Sequence, residues 1–404
     1  MDFEREFDVL VAGAGVAGVA AALESARAGL RTALVEKTIL VGGLATSGLI
    51  NIYLPLCDGK GHQVTYGIAE ELLHLSLKYG PGDIPSGWRK GAKTERRGRY
   101  QVAFSPAAFT LALDEVLVQA NVELWLDTLI CRPVMDRERV VGVEVESKSG
   151  RGTLRATCVI DATGDADIAY RTGAECAESD NWLSIWVQQA SFRTAQKVVA
   201  QPDQVSLLNM IHLGANPRGK GAPPGIEKMY GTDAKQVTQF VLKGRRLVRE
   251  HYQVQHAKGG VSSRHKLFPV TLPTMAQFRT TRRIVGREML TNGQQDTYMP
   301  TSIGLAPDWR GGGIGHVWEI PYGTLIPRKI TGLIVAGRCI SSEGEAWEIT
   351  RVIPPAALTG QVAGVAARLA IQRDTTPDLL DAQDIQRELK YLDIPFHITD
   401  ISGT

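Results

Sequence analysis

The sequence predicts an α/β fold, a doubly wound parallel sheet interrupted by an inserted α+β region. Three observations carry the prediction. Near the N-terminus a short apolar run meets a glycine-spaced turn, an alanine-rich stretch and a second apolar run that ends on a carboxylate. Two more apolar runs, at 159–161 and 332–335, end in small residues in the same way. Between them, residues 186–314 have a different texture, marked by the Pro/Gly-rich stretch 214–225.

Each element follows from local chemistry. Residues 7–12 form the kind of short apolar run that builds a buried parallel strand. A helix is expected from Val16 to about Ala28, and Gly29 stands where a helix C-terminus favours a left-handed residue. Residues 31–36 form a second strand ending on Glu36. In the turn between them, Gly13 permits a tight bend, Gly15 lets a pyrophosphate approach the backbone, and Gly18 lets helix and strand pack closely. The helix start at Val16 and Ala17 offers free N–H groups to phosphates. Glu36, about 20 residues after the glycines, is placed for ribose hydroxyls, with Lys37 beside it. This series is a Rossmann-like dinucleotide site.

Later segments choose the dinucleotide. The loop 41–48, with Gly43, Leu44, Ala45 and Thr46, is small enough for a flavin's ribityl–diphosphate chain to cross, which a simple NAD domain does not need. Ser105 and Pro106 begin a helix running to about Gln119, since serine caps well and proline suits the first turn. Strands are expected at 122–126, 139–146 and 154–161, the last ending in Ala162, Thr163 and Gly164. Another strand closes on Gly337 and Arg338. A small-residue helix is expected at 359–367, its first turn at Gly360 and Gln361 bringing N–H groups to a flavin's pyrimidine edge. The cofactor expected is FAD.

Composition bounds the rest. A chain of 404 residues suggests two domains or one α/β body with an insertion. Hydrophobic residues at 44% and charged residues at 22% exclude disordered and fibrous classes. A net charge of +2 gives no reason to expect nucleic acid or a membrane as partner. The five cysteines are scattered without a C-x-x-C pair, so neither a disulfide framework nor a local metal or cluster site is expected. With no leader pattern and no uncharged run long enough to span a bilayer, a cytoplasmic location is expected.

Taken together, the N-terminal glycine motif, the 42–48 loop, the 161–165 strand end and the 326–364 block resemble the FAD-dependent oxidoreductase family, whose FAD domain is of the glutathione-reductase type. The resemblance implies an interrupted FAD-binding domain at 1–60, 100–185 and 316–375. Residues 61–99 and 186–315 would form a substrate-binding cap, and 376–404 a C-terminal helix and tail. Residues 278–286 match an Arg-rich family motif, and 338–341 through 351–354 match its closing FAD block. Many relatives carry a histidine near Gly344; this chain has Ser342-Glu343-Gly344-Glu345. Some relatives are iron–sulfur heterodisulfide reductase subunits, but no cysteine spacing here suits a cluster.

A flavin carries the electrons, so the protein supplies orientation, charge and a proton donor or acceptor. Arg282, Arg283, Arg338 and Arg351 suit a substrate carboxylate or the flavin's negative charge, or else pair with structural acids. Arg351 and Arg283, within family motifs, are the catalytic candidates, together with His316 as a proton carrier and Glu345. Glu343 and Tyr66 are further candidates. No metal is expected, His251 and His256 being poorly spaced for one helical site. The basic run 88–100 reads as a solvated loop or as a lid for an anionic substrate. Two functions stay open: hydride transfer between a small organic substrate and flavin N5, or a flavin-binding electron-transfer or regulatory component without its own substrate. Expected partners are a small-molecule substrate and an external electron donor or acceptor, with self-association left open.

Overall fold

Apolar runs buried on both faces need covering on both sides, and the chain gathers them into one central sheet. The computed structural model describes residues 3–90, 99–311 and 313–401. Its first half comprises β1 (Phe3–Ala12), α1 (Val16–Arg27), β2 (Thr32–Val35), α2 (Ile68–Leu77), α3 (Pro106–Gln119), β3 (Glu123–Trp125), β4 (Leu129–Asp136), β5 (Arg139–Ser147), β6 (Gly150–Asp161) and α4 (Asp167–Arg171). The inserted region contributes β7 (Ser184–Ser191), β8 (Met210–Gly214), α5 (Ala234–Arg264) and β9 (Leu267–Thr271). The chain then returns through β10 (Leu333–Val335), α6 (Gly344–Thr350), α7 (Ile353–Gln372) and α8 (Ala382–Tyr391).

Strands β3, β2, β1, β6 and β10 lie parallel in that order, and β5 pairs antiparallel with the first part of β6 and with β4. The register puts Ala12 opposite both Val35 and Asp161, with Asp161 opposite Val335 and Val35 opposite Trp125. The carboxyl ends of the parallel strands therefore finish along one edge. Helices α1 and α7 pack together at backbone distance. A Cβ on Gly360 would lie 2.1 Å from the Ala17 carbonyl oxygen, and one on Gly364 would lie 2.9 Å from that of Ala21.

The inserted region forms an antiparallel sheet in the order β8-β7-β9. Ile185, Val187, Val248 and Tyr252 bury themselves between this sheet and α5. Helix α5 continues through Lys258 and Gly259 and kinks only at Gly260 (φ 60°, ψ −155°). Among the described residues no helix is long and apolar enough to cross a membrane.

Two pieces grouped with the cap on sequence pack elsewhere. Ile68, Ala69, Leu72 and Leu73 of α2 join the main core with residues of α1 and α7. The strand Ser302–Pro307 pairs with Val317–Pro321 and buries Ile303 and Ala306 in that core. Helix α8 adds Ile385 and Leu389 to it. Their apolar faces need a large surface to cover, and proximity in the chain to the insertion does not determine which surface that is.

Candidate functional site

Beyond the carboxyl edge of the sheet opens a cavity of about 1290 Å³, in the place where open α/β sheets bind ligands. Gly13 turns with φ at +92°, and a Cβ there would lie 2.8 Å from the Ala162 carbonyl oxygen. Gly18 lies under the turn, where a Cβ would come 1.9 Å from the Gly13 carbonyl oxygen. Gly15 differs: a Cβ on it would meet nothing within 4 Å, because its face opens to the cavity. No side chain caps α1, so the first N–H groups, at Val16 and Ala17 on the cavity wall, remain available for an anion. Glu36 accepts from Ala14 N–H (3.0 Å) and from the backbone N–H and hydroxyl of Thr38 (both 3.0 Å), which fixes its carboxylate beside Lys37 on the same wall.

The loop after β2 is held down by Gly42 N–H donating to the Ala14 carbonyl (2.7 Å). Gly43, Leu44 and Ala45 line the cavity. Thr46 lies buried beneath them, its hydroxyl donating to the Val41 carbonyl (2.5 Å). Ala162, Thr163 and Gly164 form the adjoining wall. Asp161 holds this turn together. It accepts from the N–H (3.1 Å) and hydroxyl (2.7 Å) of Thr163 and from the N–H groups of Ile168 and Ala169 (2.9 Å each). Burial pushes its carboxyl above the ordinary value. An uncapped helix start, an open glycine face and a fixed carboxylate suit a pyrophosphate and a ribose, so the residues present fit FAD.

Several expected residues are employed otherwise. Gly360 and Gln361 are not a helix start: α7 begins at Ile353, about two turns earlier. Val352, Ile353 and Ala356 meet the cavity instead. Pro354 and Pro355 belong to the first turn, where a missing N–H costs little. Gly360 is the contact with α1 described above. Gln361 faces away, accepting from Ile68 N–H (2.9 Å) and donating to Glu24 (2.9 Å). Gly337 and Arg338 line the cavity, but Arg338 donates to the Gly164 carbonyl (2.8 Å), the Phe278 carbonyl (2.7 Å) and Asp165 (2.7 Å). It clamps the inserted region to the dinucleotide cradle.

Of the four catalytic candidates, only Arg351 reaches the cavity. It is paired with Glu348, and its buried Nε has no partner. Arg283 does not reach it. In the strand Arg282–Ile284 neighbouring side chains point to opposite faces, so Arg282 meets the cavity while Arg283 turns away to Glu343 (2.8 Å). Arg282 lies 3.7 Å over the Tyr170 ring and bonds Glu178 (3.1 Å). His316 is half-exposed outside the cavity, paired with Asp296. Glu345 is exposed there too, paired with Arg310 (3.0 Å). Of the basic run, residues 91–98 lie outside the described residues; Arg99 lines the cavity and donates to the carbonyls of Trp309 (3.2 Å) and Arg310 (3.3 Å).

Sequence reasoning missed the wall made by the insertion. Gln277 accepts from Trp186 N–H (2.8 Å) and donates to the Gly48 carbonyl, joining β7 to the flavin-side loop. Trp186 lies against His212, ring centres 5.3 Å apart, and both meet the cavity with Arg279 and Trp309. Only Arg279 carried a signal, its place in the Arg-rich motif. The others come from segments without a recognisable pattern. All five cysteines are free, and burial pushes the Cys57 and Cys158 thiols up to about 12.

The sequence profile of FAD-dependent oxidoreductases matches residues 8–203 and 188–389. The chain belongs to the FAD-dependent oxidoreductase family. The oxidoreductase uses FAD, and it shares 32% identity over 171 residues with digeranylgeranylglycerophospholipid reductase 1 of Methanopyrus kandleri, 39% of this chain and 40% of that one. It shares 34% identity over 74 residues with thioredoxin reductase of Ureaplasma parvum, 18% of this chain and 24% of that one. The chain thus matches less than half the length of these curated relatives. The p-nitrophenol 4-monooxygenase of Pseudomonas putida superposes with a TM-score of 0.50 at 14% identity, over 97% of this chain and 86% of that one, a likeness of fold.

Proposed function

We propose that this oxidoreductase transfers a hydride between a small organic substrate and N5 of FAD. The observation that supports the reading is the continuity of the cavity: Gly15, Glu36 and Gly164 line one cleft with Trp186, His212, Phe278, Arg279 and Trp309 from the other wall. At about 1290 Å³ it exceeds the roughly 300–1,000 Å³ of an ordinary small-ligand pocket, leaving room for a second molecule beside a cofactor. FAD, when bound, supplies the two-electron chemistry.

The chain's own residues bind, orient and exclude water. The start of α1 would hold the pyrophosphate, Glu36 the ribose, and Gly43, Leu44, Val352 and Ile353 the flavin end. Trp186, Phe278 and Trp309 line the opposite wall and would shield the reacting face from water once cofactor and substrate are bound. Arg338 and Gln277 hold that wall in register with the cradle. A bare electron carrier has little use for so large a wall facing the cofactor. Because the chain carries a single glycine-spaced dinucleotide turn, electrons enter or leave through a separate donor or acceptor. The test is anaerobic flavin spectroscopy in both directions, mixing oxidised protein with alcohols, amines, sugars and acids, and dithionite-reduced protein with their unsaturated or carbonyl counterparts. Bleaching or reoxidation by one class supports the reading; a flavin inert to all of them but reduced by a partner protein refutes it.

A further inference from the structure

Four of the arginines on the cavity wall, Arg279, Arg282, Arg338 and Arg351, differ in how their charge is met. Arg338 faces Asp165 at 2.7 Å, Arg282 faces Glu178 at 3.1 Å and Asp167 at 3.4 Å, and Arg351 is paired with Glu348. Arg279 has no carboxylate within 4.0 Å among the described residues, and its guanidinium donates only to the Ala215 carbonyl (3.0 Å). Its backbone is pinned by N–H donation to Asn181 (2.9 Å), so the side chain leaves a fixed point on the inserted wall. Burial and the neighbouring charge of Arg351 push the Arg279 guanidinium down to about 10, still protonated at neutral pH. Burial and then Arg279 push the His212 imidazole below its ordinary value, so His212 brings a neutral ring rather than a counter-charge. Glu348, the carboxylate paired with Arg351, also acts on Arg279 and partly offsets the effect of Arg351, so the two cations share its charge and the unused donors of Arg279 suit a further anion.

The cofactor's pyrophosphate already has the uncapped N–H groups of α1. We propose that Arg279, with Arg351 beside it, binds a carboxylate of the substrate, whose apolar body lies against Trp186 and Phe278. The substrate class is then small organic acids. The inference rests on the proposed reading of a small-molecule substrate, which it narrows.

The test uses the FAD-loaded full chain, titrated with acetate, succinate and benzoate and with their neutral amides. Visible difference spectra of the flavin and melting temperature are followed. At least one acid gives a saturable spectral change and raises the melting temperature, and its amide gives neither. Arg279→Gln retains FAD and weakens that response by about ten- to a hundredfold, the loss of one or two charge-assisted hydrogen bonds. Arg279→Lys keeps the charge without the fork and falls between. The inference is overturned if no acid perturbs the wild-type flavin, if Arg279→Gln responds with unchanged affinity, or if both variants fold but purify without FAD, which would make Arg279 a cofactor ligand. Acids that bind through Arg279 without exchanging electrons in the spectroscopic panel would refute hydride transfer and leave the anion site standing. Turnover of neutral substrates without acid binding would do the reverse.

Discussion

Two glycines three residues apart in one turn have opposite surroundings, and exchanging each tests the cofactor site. Gly15 has extended backbone (φ −65°, ψ 175°) that any residue adopts, and a Cβ on it meets nothing within 4 Å. Gly15→Val therefore leaves the apoprotein fold intact. The narrower unfolded ensemble adds about 0.4–1 kcal/mol, the poorer helix cap removes about 1 kcal/mol, and the melting temperature moves by no more than about 3 °C. The new side chain projects where a pyrophosphate meets the start of α1. Losing one charge-assisted hydrogen bond there costs about 1.5–3 kcal/mol, a ten- to hundredfold weaker hold on FAD. Gly18→Ala reverses the pattern. Its Cβ would lie 1.9 Å from the Gly13 carbonyl oxygen, which only a shift of α1 relieves, at about 1–3 kcal/mol or more. Apoprotein melting curves and fluorescence titration with FAD separate the two effects. Gly15→Val protein that binds FAD with wild-type affinity, or that unfolds as readily as Gly18→Ala, would refute the placement.

Other outcomes follow from single contacts. Gln361→Leu strips the partner from Ile68 N–H and should cost about 1–3 kcal/mol of urea stability with FAD affinity unchanged; weakened FAD binding would restore Gln361 to the cofactor site. Arg338→Gln breaks the clamp on the Gly164 and Phe278 carbonyls and should lose about 3 kcal/mol, with faster hydrogen exchange at 274–282. Asp308 is buried, which pushes its carboxyl up, yet the Arg310 fork (2.7 and 3.0 Å) outweighs burial and holds it below its ordinary value. A depressed folded-state pKa gives stability that is present above the usual carboxylate range and lost as pH falls through the folded value. Asp308→Asn should therefore be less stable than wild type by about 2 kcal/mol at pH 7, with the gap closing in urea melts below about pH 4.

What the sequence by itself determined is the part that depends on neighbours along the chain. The strand, turn, helix and acid from Phe7 to Glu36 form one local unit whose spacing encodes its geometry, and the parallel sheet, the FAD-type cradle and the helix begun by Ser105 were legible for that reason. Ser105 does cap α3, accepting from Ala108 N–H at 3.3 Å. Tertiary structure decided the rest. Gly360 looks like a helix start in sequence, but its task is set by Ala17, which touches it only after α1 and α7 dock. Arg282 and Arg283 are equivalent in composition, and strand pairing with Cys176–Glu178 sends them to opposite faces. The opposing wall draws Trp186, His212, Arg279 and Trp309 from four separate segments. No spacing rule joins residues that meet only through the packing of the inserted sheet against the cradle, so the chemistry of that wall existed only once the chain had folded.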